Sequence, residues 1–258
     1  MLEPFQRRRL IRGVLILVGI YVAFEAGRVL LISFPEFYFG YREEHAFASV
    51  SSDVPFDIDT ASFVADLEER AAFVPILKVS KRQNVFLARE HSRFAFIAQV
   101  AGQGANAQGL SLPWRNNVVV SRTFVEHIGE RFGDDYRHTM LAGDLVQVTL
   151  HEIVHNATAE QLGWLAFRGL PPWKREGYAE YTSNLWSVAQ DPDDDFRVRA
   201  RRMLAQDYLA NDPVRRFYAR SQILVEYLAE VRGLSFSEIM DDGMSQKDVL
   251  AEVESWLQ

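Results

Sequence analysis

A long apolar stretch near the amino terminus limits the folds open to this chain more than any other feature. Four arginines within residues 7–12 precede it, and it runs from Gly13 to Phe34. As one helix these residues would be about 33 Å long, enough to cross a hydrocarbon core of about 30 Å. Its two charged residues, Glu25 and Arg28, are three apart and can pair on one helix face. The stretch therefore predicts a single membrane-spanning helix.

The flanking charges predict how this helix is oriented. By the positive-inside rule, the arginines keep residues 1–12 in the cytoplasm and place everything after residue 34 outside it. The chain is thus expected in the cytoplasmic (inner) membrane as a single-pass protein with an extracytoplasmic or periplasmic domain. No A-x-A site follows the stretch, which favours an uncleaved anchor over a signal peptide. A secreted enzyme with a cleaved signal is the alternative. Aromatic residues typical of a membrane interface follow: Phe37, Tyr38, Phe39 and Tyr41.

Composition excludes several kinds of site. The chain has no cysteine, so disulfide scaffolds, iron–sulfur clusters and thiol nucleophiles are excluded, and a metal must be held by His, Asp or Glu. Net charge is −7 overall. The first 34 residues carry five arginines and two glutamates, a net +3, which leaves −10 for the rest. Such an acidic body argues against nucleic acid as a partner.

Periodicity divides the chain into a cytoplasmic tail (1–12), an anchor (13–34), a juxtamembrane linker (35–59) and one domain (60–258). In that domain a helix capped by Asp59 or Thr60 is expected to run to about Phe73. Strands are predicted next, at Ile76–Val79, Asn84–Ala88, Phe94–Val100 and Val118–Ser121. Helices are predicted from there on, near 123–132, 139–161, 173–188, 196–210, 213–232 and 245–257. The class is therefore α+β, with a small mixed or antiparallel sheet followed by a mostly helical part.

Three short patterns are interpreted without a ligand. The segment Gly102–Gly109 contains G-x-G-x-x-A, a motif that opens a helix in dinucleotide sites. Pro113 interrupts any such helix, so we expect a loop rather than a dinucleotide site. The alternating aspartates of residues 191–195 lack the glycine and glutamate of a calcium loop and predict a solvated acidic turn. The arginines that follow, within 197–202, are expected on an exposed helix face.

The segment that carries chemistry is the pentad H-E-x-x-H at residues 151–155, inside a helical pattern. Positions i and i+4 project from one helix face, so His151 and His155 can reach one ion. Glu152 stands beside them and can accept a proton from water that a metal activates. Two surface histidines without a metal are the alternative. The other histidines have no comparable partner and are expected at the surface or in the core: His45, His91, His127 and His138.

A third ligand is available downstream. Catalytic zinc takes three protein ligands and leaves one position open. Pro171 and Pro172 begin a new helix, which puts Glu176 in its first or second turn. Glu180 follows one turn later on the same face and can accept the N–H of a liganding histidine. An exposed acidic pair is the alternative interpretation.

The pentad followed by E-G-Y-A (Glu176–Ala179) resembles the gluzincin zinc metallopeptidases, which are peptidase MA-like. It is similar in particular to the aminopeptidase N-like enzymes, whose motif reads H-E-x-x-H and then N-E-G-F-A. The resemblance covers about residues 115–235 and implies a zincin-like fold. It implies Zn²⁺ held by His151, His155 and Glu176. It further implies Glu152 as the general base and Glu180 as the carboxylate that orients the first histidine.

A later helix extends the resemblance. The residues F-Y-A-R-S (Phe217–Ser221) open an apolar helix, much as the family's Y-x-K-G opens the helix with its transition-state tyrosine. The match implies Tyr218 as the oxyanion donor. A packed core tyrosine is the alternative there, and Tyr178 and Tyr181 are rivals for the role.

Three departures from the family pattern are visible. The spacing from His155 to Glu176 is two residues longer than in the aminopeptidases. Arg175 stands where many relatives have asparagine. No G-x-M-E-N exopeptidase motif occurs, so trimming of amino termini does not follow from the resemblance.

These features predict a membrane-anchored zinc metallopeptidase that hydrolyses peptides or proteins, with Glu152 as the base. The substrate is expected to lie extended beside an edge strand. The candidates for that strand precede the active helix: Val118, Val119 and Val120. The alternative is a catalytically silent zincin-fold protein that binds or assembles envelope components, against which the intact Glu152 argues.

Overall fold

The computed structural model describes residues 4–79, 82–104, 107–132, 144–205, 208–241 and 243–258. These residues form an α+β fold with a small mixed sheet, many helices and one amino-terminal apolar helix. The strands are β1 (Tyr41–Glu44), β2 (Ala48–Ser52), β3 (Gln83–Ala88), β4 (Gly109–Leu112) and β5 (Asn117–Ser121). The helices before and beside the sheet are α1 (Pro4–Ser33), α2 (Thr60–Ala71), α3 (His91–Val100) and α4 (Arg122–Phe132). Those after it are α5 (Leu145–Leu162), α6 (Trp164–Gly169), α7 (Pro172–Gln190), α8 (Phe196–Leu204), α9 (Pro213–Glu226), α10 (Phe236–Met240) and α11 (Gln246–Leu257).

The sheet has the order β1-β2-β3-β5-β4. Its centre is parallel, β2 with β3 and β3 with β5, whereas β1 and β4 run antiparallel to their neighbours. The segment 35–59, expected as a linker, contains two of these strands, β1 and β2. The mixed alternative of the sequence prediction is the one the structure has.

Side-chain alternation along the strands builds a core on each face of the sheet. In β3, Val85 and Leu87 face the helical layer, while Phe86 belongs to the opposite core with Phe94 of α3. In β5, Val118 and Val120 face the helices and Val119 faces α3. Central strands covered on both faces require continuous apolar runs, which explains the V-V-V of β5.

Two predicted strands are wrong. Residues 76–79 lie in a 3₁₀ turn, Pro75–Val79, because proline fixes φ and lacks the N–H that a strand needs. Phe94–Val100 belongs to α3, where Phe94, Ile97 and Ala98 recur at the helical spacing and are buried against the sheet. Aromatic and branched residues in a short run do not distinguish a strand from a buried helix face.

The helix α1 includes a 22-residue segment, Arg12–Ser33, that is long and apolar enough to cross a membrane. A signal sequence can have the same length and composition. It is joined to the domain at its carboxyl end. Ile32 is buried in the core beneath the sheet. Asn117 Nδ2 of β5 donates to the Ser33 carbonyl at 3.5 Å.

The helical layer is centred on α5, which is buried on nearly all sides. Asp144 caps it by accepting from the amides of Val146 and Gln147, so the described helix begins at Leu145 rather than at 139 as predicted. Residues 133–143, with His138, lie outside the described residues. Helix α7 packs on α5 and α9 packs on α7. The α7–α9 contact is close because Gly177 has no side chain: a Cβ there would lie 2.3 Å from the Ser221 carbonyl oxygen.

The prediction that the arginines of α8 lie on an exposed face is wrong for Arg199, which is only 4% exposed. Its guanidinium donates to both oxygens of Asp194, at 2.8 and 2.9 Å, and to Glu226 of α9. One buried cation therefore faces two carboxylates. Burial raises the pKa of Glu226 to about 7, Arg199 opposes this, and Asp194 and Glu230 add to it.

This carboxylate predicts a pH-dependent stability. Glu226 binds its proton more tightly in the folded protein than in the unfolded chain. Its contribution to the free energy of unfolding is therefore present below pH 4.5 and is lost as pH rises through 7. Glu226→Gln keeps an acceptor for Arg199 without the charge. We compare the melting temperatures of this variant and of wild type. The variant's melting temperature minus that of wild type should increase by about 5 °C between pH 5.5 and pH 8.5. Thermal melts of the detergent-solubilised full chain measure this. The exposed Glu254→Gln is the control, and a parallel pH response in the Glu226 variant and wild type would contradict the assignment.

Candidate metal centre

The helix α5 carries two histidines and a glutamate into the interior. His151, Glu152 and His155 are exposed by 1%, 7% and 5%. The two imidazole rings are perpendicular with centroids 4.7 Å apart, as the one-turn spacing requires. The predicted helical pairing of these histidines is therefore present in the structure.

Glu176, in the second turn of α7, meets both histidines. Its Oε2 lies 3.1 Å from His155 Nε2 and 3.5 Å from His151 Nε2. The other carboxylate oxygen, Oε1, accepts from Arg175 Nε at 3.0 Å. Burial raises the pKa of Glu176, but the two histidines outweigh it and hold that pKa well below its usual range. Arg175, which stood out in the sequence as a departure, thus holds the carboxylate with one oxygen turned towards the histidines.

These three side chains form a buried cluster that could hold a metal ion, with ligand atoms all within 4.8 Å of one another. Two atoms each about 2.0–2.1 Å from a tetrahedral zinc ion lie about 3.3 Å apart, which the observed separations from Glu176 bracket. The charges of the side chains around the cluster also favour a cation. Three buried carboxylates, Glu152, Glu176 and Glu180, are gathered near the guanidinium of Arg175, and buried charges require compensation. The donor set fits a divalent cation.

Glu180 lies one turn after Glu176 on α7, beside the first histidine. Its Oε1 is 4.0 Å from His151 Nδ1. That nitrogen has no hydrogen-bond partner within the part of the chain that the structure describes. The placement is compatible with the orienting role that the resemblance implies, which would tighten this contact.

Glu152 lines an open cavity of about 330 Å³ next to the cluster. Burial raises its pKa to about 7, Glu176 and Glu180 add to this, and His151 opposes it. A carboxylate in such a setting can take and return a proton near neutral pH. Both polar and apolar residues line the cavity: Gln103, Gly104, Ala107, Gln108, Gly109, Phe124, His151, Glu152, Glu180, Val214, Arg215, Tyr218 and Ala219.

The strand beside this cavity is β4 and not β5. The expectation that Val118, Val119 and Val120 line the substrate is wrong, because β5 is paired on both sides and these valines are fully buried. β4 lies at the sheet edge, and its first residue, Gly109, sits against the base: a Cβ there would lie 2.6 Å from Glu152 Cγ. Only glycine lets this strand approach Glu152 so closely.

Tyr218 is the tyrosine that reaches the cavity. It lines the wall with Glu152, and its ring centroid is 6.3 Å from that of His151. Burial, with Glu176, Glu152 and Glu180, raises its pKa, so the hydroxyl stays protonated and able to donate. The rivals lie elsewhere. Tyr178 packs on Phe236 in the core, and the Tyr181 hydroxyl donates to Glu230.

Comparison of the chain with protein-family models, with curated proteins and with solved structures finds no match. The interpretation of the site therefore rests on its own residues.

Among the described residues, the remaining histidines stand apart from the metal cluster. His91 Nδ1 is 2.8 Å from Ser121 Oγ, and His45 Nε2 is 3.9 Å from Glu43. His127 lies on α4. Gly109 and the neighbouring loop residues line the cleft, which the sequence did not predict. The glycine-rich composition of that loop was the available signal for a close backbone approach.

Proposed function

We propose that this chain is a zinc-dependent metallopeptidase of the gluzincin type that hydrolyses peptide bonds. The observation that carries the proposal is the convergence of His151, His155 and Glu176 beside Glu152 at an open cavity. A general base, a three-ligand cluster and room for a substrate are the parts that metal-assisted hydrolysis needs.

In this proposal His151, His155 and Glu176 hold the ion. Bound there, zinc supplies a Lewis acid that acidifies water and polarises a carbonyl group. Glu152 takes the proton of the attacking water and returns it to the leaving amine. Tyr218 donates its O–H to the oxyanion that develops on the carbonyl oxygen. The edge strand β4, which begins at Gly109, offers backbone groups along which an extended peptide can pair.

We also propose that α1 anchors the enzyme in the cytoplasmic membrane and that the domain lies outside the cytoplasm. The apolar segment Arg12–Ser33 and the arginines before it support this orientation. The acidic charge of the domain supports peptides or proteins, and not nucleic acids, as its substrates.

Loss of the third ligand tests the metal site directly. Glu176→Ala should lower zinc affinity by more than about 100-fold, since two imidazoles alone bind weakly. Equilibrium dialysis with metal analysis measures this on the purified full chain. Hydrolysis of an unstructured protein by wild type should be lost with a chelator and restored by added zinc.

The matched control is Glu254→Ala, which removes an exposed glutamate of α11 and should change neither quantity. Equal zinc binding by wild type and the Glu176 variant would refute the assigned ligand set. Zinc binding without hydrolysis of any protein tested would favour the silent binding protein over the peptidase.

A further inference from the structure

A patch of aromatic side chains is exposed beside the carboxyl end of α1. Phe37 is 83% exposed and Phe96, on the outer face of α3, is 47% exposed. Tyr38, the residue after Phe37, has its ring centroid 6.3 Å from that of Phe96. The ring of Phe34 completes the patch, 6.4 Å from that of Phe37. We call these four residues the aromatic patch.

The patch is fixed to both α1 and the domain. The 3₁₀ turn Pro35–Phe37 follows α1 directly, and the next apolar ring, Phe39, is buried against Phe86 of β3. Arg93 of α3 donates to the Tyr38 carbonyl at 2.6 Å. α1 also packs on α3. The end of the apolar helix and the outer face of α3 therefore form one continuous surface, and they cannot separate without breaking these contacts.

Basic groups border the patch. The guanidinium of Arg115 lies 4.2 Å from the centroid of the Phe34 ring, is partly exposed, and lies 3.9 Å from the carboxylate of Glu36. Arg93, which donates to the Tyr38 carbonyl, is also partly exposed and lies 3.7 Å from the carboxylate of Asp53. Aromatic rings bordered by arginines suit the boundary between acyl chains and anionic headgroups.

Building on the proposed role of α1 as a membrane anchor, we infer that the bilayer around α1 covers the aromatic patch, so that the domain lies on the membrane surface through α3. The occupant follows from continuity with α1: Phe37 comes four positions after the last residue of α1, and the next residue, Tyr38, has its ring 6.3 Å from that of Phe96 on α3. A lipid surface that surrounds the end of α1 meets the whole patch at once. Tyr41 and Phe39, expected at the interface from the sequence, lie outside the patch, and Phe39 is buried.

This placement has a consequence for the cleft, and the consequence rests on the proposed function. The amide of Gln103, which lines the cavity, donates to the Ala98 carbonyl at 2.8 Å, so the cavity wall continues from the last turn of α3. Phe96 lies four residues before the last residue of α3, Val100, about 6 Å at the helical rise, and Gln103 follows after a turn of the chain. The cleft then opens close to the headgroups, and its substrates are polypeptide segments adjacent to the membrane.

The absence of native cysteine allows a direct test with single-cysteine variants of the full chain. A nitroxide label is placed by Phe96→Cys or Phe37→Cys, and in the control by Val198→Cys on α8, an exposed apolar position in the helical layer. Each variant is reconstituted into bilayers that contain phosphatidylglycerol. We expect labels at 96 and 37 to collide with oxygen and to be shielded from a water-soluble nickel complex. The label at 198 should show the reverse.

Equal accessibility at 96 and 198 would overturn the inference, whether or not the label at 37 is shielded. Phe96→Trp keeps an aromatic ring and supplies a second measurement without a label. Brominated lipids should quench its added fluorescence, but not that of Val198→Trp, and no added quenching would again overturn the inference.

Activity separates the consequence from the proposed function. A peptide tethered to a lipid should be cleaved faster than the same peptide free in solution. Equal rates would refute the substrate class. No cleavage of either peptide would refute the proposed function, while the accessibilities still decide where the domain lies.

Discussion

Glu152→Gln is expected to lower peptide hydrolysis by about 10³-fold or more while the protein keeps its zinc. Glutamine has nearly the same shape, so the packing against Gly109 is preserved. It cannot accept a proton, so the attacking water is no longer activated by a base. The three ligands His151, His155 and Glu176 are unchanged, and the metal content should equal that of wild type. Turnover of a fluorogenic peptide and metal analysis of the same preparation measure both quantities.

The control is Glu160→Gln, the same substitution at an exposed position of the same helix, which should retain wild-type turnover. Hydrolysis at the wild-type rate by the Glu152 variant would refute its role as general base. Loss of zinc together with activity would instead assign Glu152 to the ligand set.

Gly177→Ala is expected to destabilise the protein by about 3 kcal/mol or more and to weaken the metal site at the same time. A Cβ at this position would lie 2.3 Å from the Ser221 carbonyl oxygen and 2.8 Å from Val225 Cγ2. The first of these is backbone, so α9 must move away from α7. Glu176 precedes Gly177 on α7 and Tyr218 is on α9, so the shift separates two groups of the site. We expect a melting temperature about 10 °C lower and weaker zinc binding.

Gly169→Ala is the matched control, because nothing lies within 4 Å of a Cβ at the end of α6. It should change the melting temperature by no more than about 2 °C. A Gly177 variant as stable as this control would show that the two helices are not held as close as the structure has them.

The relation between sequence and structure differs from one element to another. Helix α2 with its Asp59 cap, and α9 with Asp212 and Pro213, were predictable because caps and first-turn prolines act on adjacent residues. The carboxyl ends of the helices were less predictable from the sequence. α8 ends at Leu204, short of the predicted residue 210. The predicted helix 213–232 continues beyond α9 as a π-helical turn, Tyr227–Val231.

Contacts distant in sequence account for the errors. The apolar run Phe94–Val100 is too short for its period to distinguish a strand from a helix. The central position of β5 depends on which strands meet across the sheet, which no local pattern shows. The burial of Arg199 depends on its partner Glu226, which lies 27 residues away.

The sequence by itself determined the apolar helix and the pairing of His151 with His155, because the rise and pitch of a helix set both locally. It also determined the α+β class, because strand-like runs precede the helical periodicity. Only the tertiary structure decided that Glu176 reaches that pair, that Tyr218 rather than Tyr178 or Tyr181 faces the cavity, and that β4 lies against Glu152. Each of these depends on how closely two separate elements pack, and that closeness is set by side-chain volume, down to the missing Cβ of Gly109 and Gly177.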